Sequence, residues 1–249
     1  RFTDHFHVIG ITRRGYGASS QPPSGYDLAT RVADDKAVLD SLHLGQVILV
    51  GHSIAGDELT AFAGAYPERV SKLIYFDAAY DHSDIGGVDK DFPQQPMTSA
   101  DSASPEAVQA YTVRTFGMHV PESQLRAIAR YDSTGHLRSD VTPASIDSQV
   151  LAGCGHPDYA RVQAPILSIY NIVDSARDLF PRIDEFTPAA RASAERFTKT
   201  LRLWAGRHQA AFKAAEPSAQ ILELHHSHHY VFWANEAEVE GAMRRFLGP

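Results

Sequence analysis

"QVILVGHSIAG", residues 46–56, is the stretch that decides the fold. Four consecutive apolar residues, Val47–Val50, run into Gly51; a serine follows, and then small residues as far as Gly56. An uninterrupted apolar run of this kind reads as a parallel strand covered on both faces. After it comes a helix, with Leu59, Phe62 and Tyr66 on one side and Pro67 as its stop. A serine between such a strand and such a helix sits at a nucleophile elbow, G-x-S-x-G, or caps the helix N-terminus. The last position of the pattern holds Ala55 where glycine is usual, a departure of one methyl group.

Outward from this stretch the chain alternates. His7–Thr12 reads as a strand ended by the Gly/Pro-rich loop of residues 13–27. Asp27 then caps a helix with Leu28, Val32, Leu39 and Leu42 on one face, closed by Gly45. Lys72–Phe76 is a third strand. Residues 81–163 interrupt the pattern: a polar, Pro/Gly-rich opening leads into helical pieces at Pro105–Gly117, Pro121–Tyr131 and Pro143–Cys154, with no strong strand. The alternation resumes with a strand at Ile166–Tyr170, a long helix at Pro188–Ala215, a strand at Ile221–Leu224 and a final helix at Glu236–Leu247. Asn235-x-x-Glu238 opens that last helix as a capping-box pattern. Alternation of this type predicts an α/β fold, a mostly parallel sheet flanked by helices on both faces. Ligands of such sheets bind beyond the carboxyl ends of the strands, so the loops after Thr12, Val50, Phe76, Tyr170 and Leu224 are the ones to search.

The bulk properties narrow the function classes. Over 249 residues, 43% hydrophobic and 21% charged is ordinary globular composition. The net charge of -7 offers no basic surface for nucleic acid. No apolar run approaches the roughly 20 residues that a membrane helix needs. The single cysteine, Cys154, excludes an internal disulfide and a cysteine-based metal centre without fixing the compartment. The chain opens at Arg1 and carries no signal peptide in these residues, so a cytoplasmic location and export after removal of a leader both stay open.

Three of the searched loops carry a reactive side chain, in the order Ser53, Asp174, His229. With that order on the page, the chain resembles the α/β-hydrolase superfamily. "GITRRGYGASSQP" (10–22) resembles its D-x-R-G-x-G-x-S loop, with Thr12 in the acidic position; "VGHSIAG" (50–56) resembles its elbow. "PILSIYNIVD" (165–174) resembles the strand that delivers the acid, and residues 225–247 resemble the closing histidine segment and helix. The resemblance implies residues 1–80 and 164–249 as the hydrolase core and 81–163 as a helical cap or lid. It implies Ser53 as nucleophile, His229 as base, Asp174 as the acid that orients it, and the Ile54 N–H as one oxyanion donor. His228 is the runner-up base; His225 and His226 read as part of a partly exposed loop, and His208, the remaining candidate, falls on the stripe of Ala194, Phe197, Leu201 and Trp204 that makes the long helix amphipathic. Asp178 and Asp77 are the other candidate acids, Asp77 at a position some members use. The second oxyanion donor and the first strands of that fold do not occur in these residues, and an upstream segment is expected to supply them.

The implied activity is a serine hydrolase acting on a carboxylic ester of a small apolar or aromatic molecule, with no cofactor and no metal. A substrate pocket is expected at His52 and at Phe92, Met97, Tyr111 and Phe116, with Met118 beside them, although these cap residues suit a packed cap core equally well. Epoxide- and haloalkane-opening relatives carry aspartate at the elbow, which the serine argues against. Lactone, amide or carbon–carbon hydrolysis and a cofactor-free oxidative reaction are reachable with the same triad, and a non-catalytic binding protein on the same scaffold is the alternative of another class. Oligomeric state is left open.

Overall fold

The computed structural model describes residues 1–248. Helix α1 (Leu28–Ser41) starts where Asp27 accepts the Thr30 amide, as its sequence predicts. Strand β1 (Val47–His52) leads into α2 (Ala55–Ala65), and β2 (Val70–Phe76) follows. The inserted stretch holds α3 (Pro105–Phe116), α4 (Glu122–Ile128), the strands β3 (Ala129–Tyr131) and β4 (Leu137–Asp140), and α5 (Ala144–Ala152). Then come β5 (Ile166–Ile172), α6 (Ala176–Leu179), the 28-residue α7 (Pro188–Ala215), β6 (Gln220–His225), α8 (Val231–Ala234) and α9 (Glu236–Leu247).

Four strands pair in parallel in the order β1-β2-β5-β6. Alternation along β2 divides the core. Leu73 and Tyr75 face α1, α2 and α7, meeting Val32, Leu39, Phe62, Phe197 and Phe212. Ile74 faces the other way, with Ile169 and Leu224, onto Val239, Met243 and Phe246 of α9. The sheet is therefore covered by helices on both faces, and its central strands β2 and β5 are the most deeply buried. No helix among the described residues is long and apolar enough to cross a membrane.

Four local expectations are corrected. His7–Thr12 forms no strand: no strand among the described residues pairs with it, and Val8 and Ile11 are exposed. Strand β1 pairs on one side only, as a sheet edge, and Val50 is 44% exposed instead of covered. The insert does contain strands, the antiparallel pair β3–β4, too short and too polar in "LRSD" to show an alternating pattern. Asn235 makes no side-chain cap on α9, because its Oδ1 accepts from Ser227 Oγ.

The close approach that the elbow demands is at Gly56. A Cβ there would lie 1.9 Å from the carbonyl oxygen of Ala78, a backbone atom that cannot step aside. Gly56→Ala is expected to destabilise the fold by on the order of 3 kcal/mol through overpacking, a fall in Tm of roughly 10 °C. A thermal melt within 2 °C or so of the wild type would contradict that contact.

Candidate active site

Strands β1 and β2 end in register, His52 opposite Phe76. The next residue on each, Ser53 and Asp77, adopts a left-handed backbone, φ 55° and 46°. For a residue with a side chain such a conformation costs about 1–3 kcal/mol, and it collects at functional sites. Both turns are pinned: the Ser53 amide donates to the Phe76 carbonyl at 3.1 Å, and the Asp77 amide to the Ile169 carbonyl at 2.7 Å. Two side chains are thus thrown off the carboxyl edge of the sheet, side by side. The Ile54 N–H, at the mouth of α2, donates to no backbone carbonyl among the described residues.

The histidine arrives from β6, two strands away from β2. Past His225 the chain turns at His226, also left-handed at φ 52°, and folds back over the end of β5. There His229 Nδ1 donates to Asp77 Oδ2 at 2.7 Å. The other oxygen, Asp77 Oδ1, accepts the Asn171 amide at 3.1 Å and the Tyr80 hydroxyl at 2.5 Å. Because Nδ1 faces a carboxylate it carries the proton, which leaves Nε2 as a free base.

The expected pairing of Asp174 with His229 does not form, and Asp77 is the aspartate that His229 meets. Asp174 does not meet His229; its Oδ2 pairs with His225 Nδ1 at 2.8 Å, on side chains 38% and 55% exposed. The reason lies in the returning loop, which carries His229 past β5 to β2, while His225 stays at the end of β6 beside Asp174. Asp178, the other candidate on that loop, caps α6 by accepting the Asp174 and Ser175 amides. Tyr80 and Asn171, which hold Asp77, were not foreseen, although a tyrosine three residues after the aspartate in "FDAAY" is a local signal for the first.

Of the expected pocket residues, Phe92, Tyr111 and Phe116 pack edge-on or tilted against one another or against Phe180 and Phe197, at the junction of the insert with α6 and α7. Met97 and Met118 pack instead against the buried cluster of Val108, Val120 and Leu125, as does Trp233, which stacks on Tyr230 next to His229. His52 is spent within the protein: its Nε2 lies 3.0 Å from the His229 carbonyl oxygen. His208 lies on α7 against Trp204, and His228 Nδ1 accepts the Tyr230 amide. Donor atoms of Asp174, Asp178 and His226 lie within 4.8 Å of one another and are the described residues that could converge on a cation. The insert reaches the site at two points: Ile54 packs against the cluster that holds Ile146 and Val150 of α5, and Trp233 against the cluster of Val108, Val120 and Leu125.

Residues 2–102 match the family model described as the alpha/beta hydrolase fold. This match takes in about two fifths of the chain, and the parallel sheet flanked by helices agrees with it. The chain is 39% identical over 79 residues to the non-heme chloroperoxidase of Streptomyces lividans, covering 31% of this chain and 29% of that one. It is 37% identical over 78 residues to the 2-(acetamidomethylene)succinate hydrolase of Mesorhizobium japonicum, covering 31% and 28%. These matches span less than a third of either relative's length. The crystal structure of E-2-(acetamidomethylene)succinate hydrolase superimposes on 99% of this chain and 83% of that chain, with a TM-score of 0.68 at 20% identity, a likeness of fold.

Two histidines beside the site tie its stability to pH. Burial first, then the charge of His229, pushes His52 and His228 down to about 4, against an ordinary value near 6.5. Their folded pKa lies below the unfolded one, so the stability they contribute is complete above about pH 6.5 and is lost as the pH falls towards 4. Each is worth at most about 3 kcal/mol. The Tm is expected to drop between pH 7 and 4.5, and His228→Gln, which has nothing to titrate there, to shrink that drop. An equal drop in both proteins would refute the assignment.

Proposed function

We propose that the protein is a serine hydrolase that cleaves a carboxylic ester of a small, apolar or aromatic molecule through an acyl-enzyme, with Asp77 as the acid of its triad. The observation that carries this reading is the His229–Asp77 hydrogen bond formed beside a serine in a left-handed strand-to-helix turn. A serine hydroxyl is a poor nucleophile until a base takes its proton. His229 Nε2 removes it as Oγ attacks the acyl carbon, and Asp77 stabilises the imidazolium that forms. The Ile54 N–H donates to the oxyanion. The imidazolium then returns its proton to the departing alcohol. Water, deprotonated by the same imidazole, releases the acid and frees Ser53.

Residues 81–163 act as the cap over this site, and their contacts with Ile54 and Trp233 support that role. The apolar side chains Met97, Met118 and Trp233 at the second contact favour an apolar acyl or alcohol group. A serine at the elbow is suited to acyl transfer, whereas ring-opening through an alkyl-enzyme needs a carboxylate there.

The test is a p-nitrophenyl ester series from acetate to octanoate. Rapid mixing is expected to show a burst of p-nitrophenolate matching the protein concentration, followed by slower turnover. Absence of hydrolysis across the whole series defeats the esterase reading.

A further inference from the structure

The base of the proposed triad stands on a stretch with little backbone support. Residues 226–229 follow the last rung of the β5–β6 ladder and precede α8, and none of them makes a backbone–backbone hydrogen bond among the described residues. What holds them is side chains: Ser227 on Asn235, His226 on Asp178, His229 on Asp77. The bond to Asp77 fixes one edge of the imidazole, but by itself it leaves the main chain behind that ring free to swing about it.

The missing second point is His52. A carbonyl oxygen only accepts, so the 3.0 Å contact requires His52 Nε2 to carry a proton and donate it to the His229 carbonyl. The same ring lies 4.4 Å, centroid to centroid, from the His229 ring and 4.7 Å from that of Tyr230, and meets Phe232 edge-on at 5.2 Å. His52 is also the last residue of β1, covalently next to Ser53.

We propose that His52 is a positioning residue that ties the main chain of His229 to the elbow and so sets the base against the nucleophile. The proposal rests on the reading of Ser53 and His229 as nucleophile and base. The base is then held at two points on adjacent strands: its ring by Asp77 after β2, its backbone by His52 at the end of β1. Because His52 stays neutral in its buried position, it sets no positive charge beside the imidazolium that forms on His229 during attack.

The test compares His52→Phe, which keeps the ring contacts and removes the donor, with His52→Gln, whose side-chain amide can donate to the same carbonyl. With p-nitrophenyl acetate, His52→Phe is expected to lose about 10- to 100-fold in kcat with KM within about twofold, the scale of a misplaced catalytic group. His52→Gln should recover most of that loss. The low-field proton resonance of His229 Nδ1–H, identified by its absence in His229→Ala, should persist in His52→Gln and broaden in His52→Phe. If His52→Phe does not fold, His52→Ala takes its place in the comparison with His52→Gln. Full activity in the variant without the donor, or an equal loss in a folded His52→Gln, overturns the proposal. Ser53→Ala and His229→Ala are assayed beside them: if both stay active, the nucleophile and base reading itself falls. If both are inactive while His52→Phe is unimpaired, only the positioning role falls.

Discussion

Asp77→Asn is expected to lower kcat on p-nitrophenyl esters by about 10⁴-fold, while Asp174→Asn stays within about threefold of the wild type. The first figure corresponds to about 5 kcal/mol of transition-state stabilisation. Its source is the direction of three donors around one carboxylate. Oδ1 accepts from the Asn171 amide, a donor that cannot be turned round, and from Tyr80. An asparagine must set its carbonyl oxygen there, which leaves its NH2 towards His229. Nδ1 then has to accept, the proton moves to Nε2, and the imidazole offers a donor where the proposed mechanism needs a base. The geometry survives and the tautomer is wrong. Asp174 differs in kind, as half of an exposed pair with His225 of the sort worth 0–1 kcal/mol. The check is steady-state kinetics of both variants, with melts to show that each is folded. Equal losses in the two, or the larger loss in Asp174→Asn, would return the acid to the β5 loop.

The contrast between these aspartates marks how far the sequence could be read. Each follows an apolar run, Lys72–Phe76 or Ile166–Tyr170, and strand periodicity finds both runs without separating their roles. What separates them is the path of residues 226–230, which cross β5 to reach β2, a long-range property with no local pattern. The serine's turn was legible because it constrains its neighbours locally: at Gly56 the Ala78 carbonyl leaves no room for a Cβ. Caps were legible where one side chain decides them, as at Asp27, and misread where a competing partner such as Ser227 claims the capping residue. His7–Thr12 shows the same limit in the fold. Its apolar pattern matches that of a strand, yet a strand exists only where a neighbour accepts its hydrogen bonds, and residue composition does not report the neighbour.

Ser53→Ala is expected to abolish the burst and to lower kcat by roughly 10⁴- to 10⁶-fold, the range seen when a nucleophile that works as one unit with its base is removed. The substitution takes away one oxygen atom at the site where the bond to the acyl carbon forms. It leaves the His229–Asp77 pair and the Ile54 amide where they are, so the residual rate measures what binding and the oxyanion donor achieve alone. The fold should not suffer. Alanine meets the left-handed backbone at φ 55° with the same Cβ that serine has, so the strain of the turn is unchanged and the Tm should stay within a few degrees. This joint outcome, chemistry lost and stability kept, separates a nucleophile from the alternative of a serine that merely caps α2, whose loss would cost about 1 kcal/mol and leave turnover untouched. Intact-mass measurement after a p-nitrophenyl ester pulse gives the direct check: an acyl adduct on the wild type, none on Ser53→Ala. An adduct of the same mass on both proteins would place the nucleophile elsewhere.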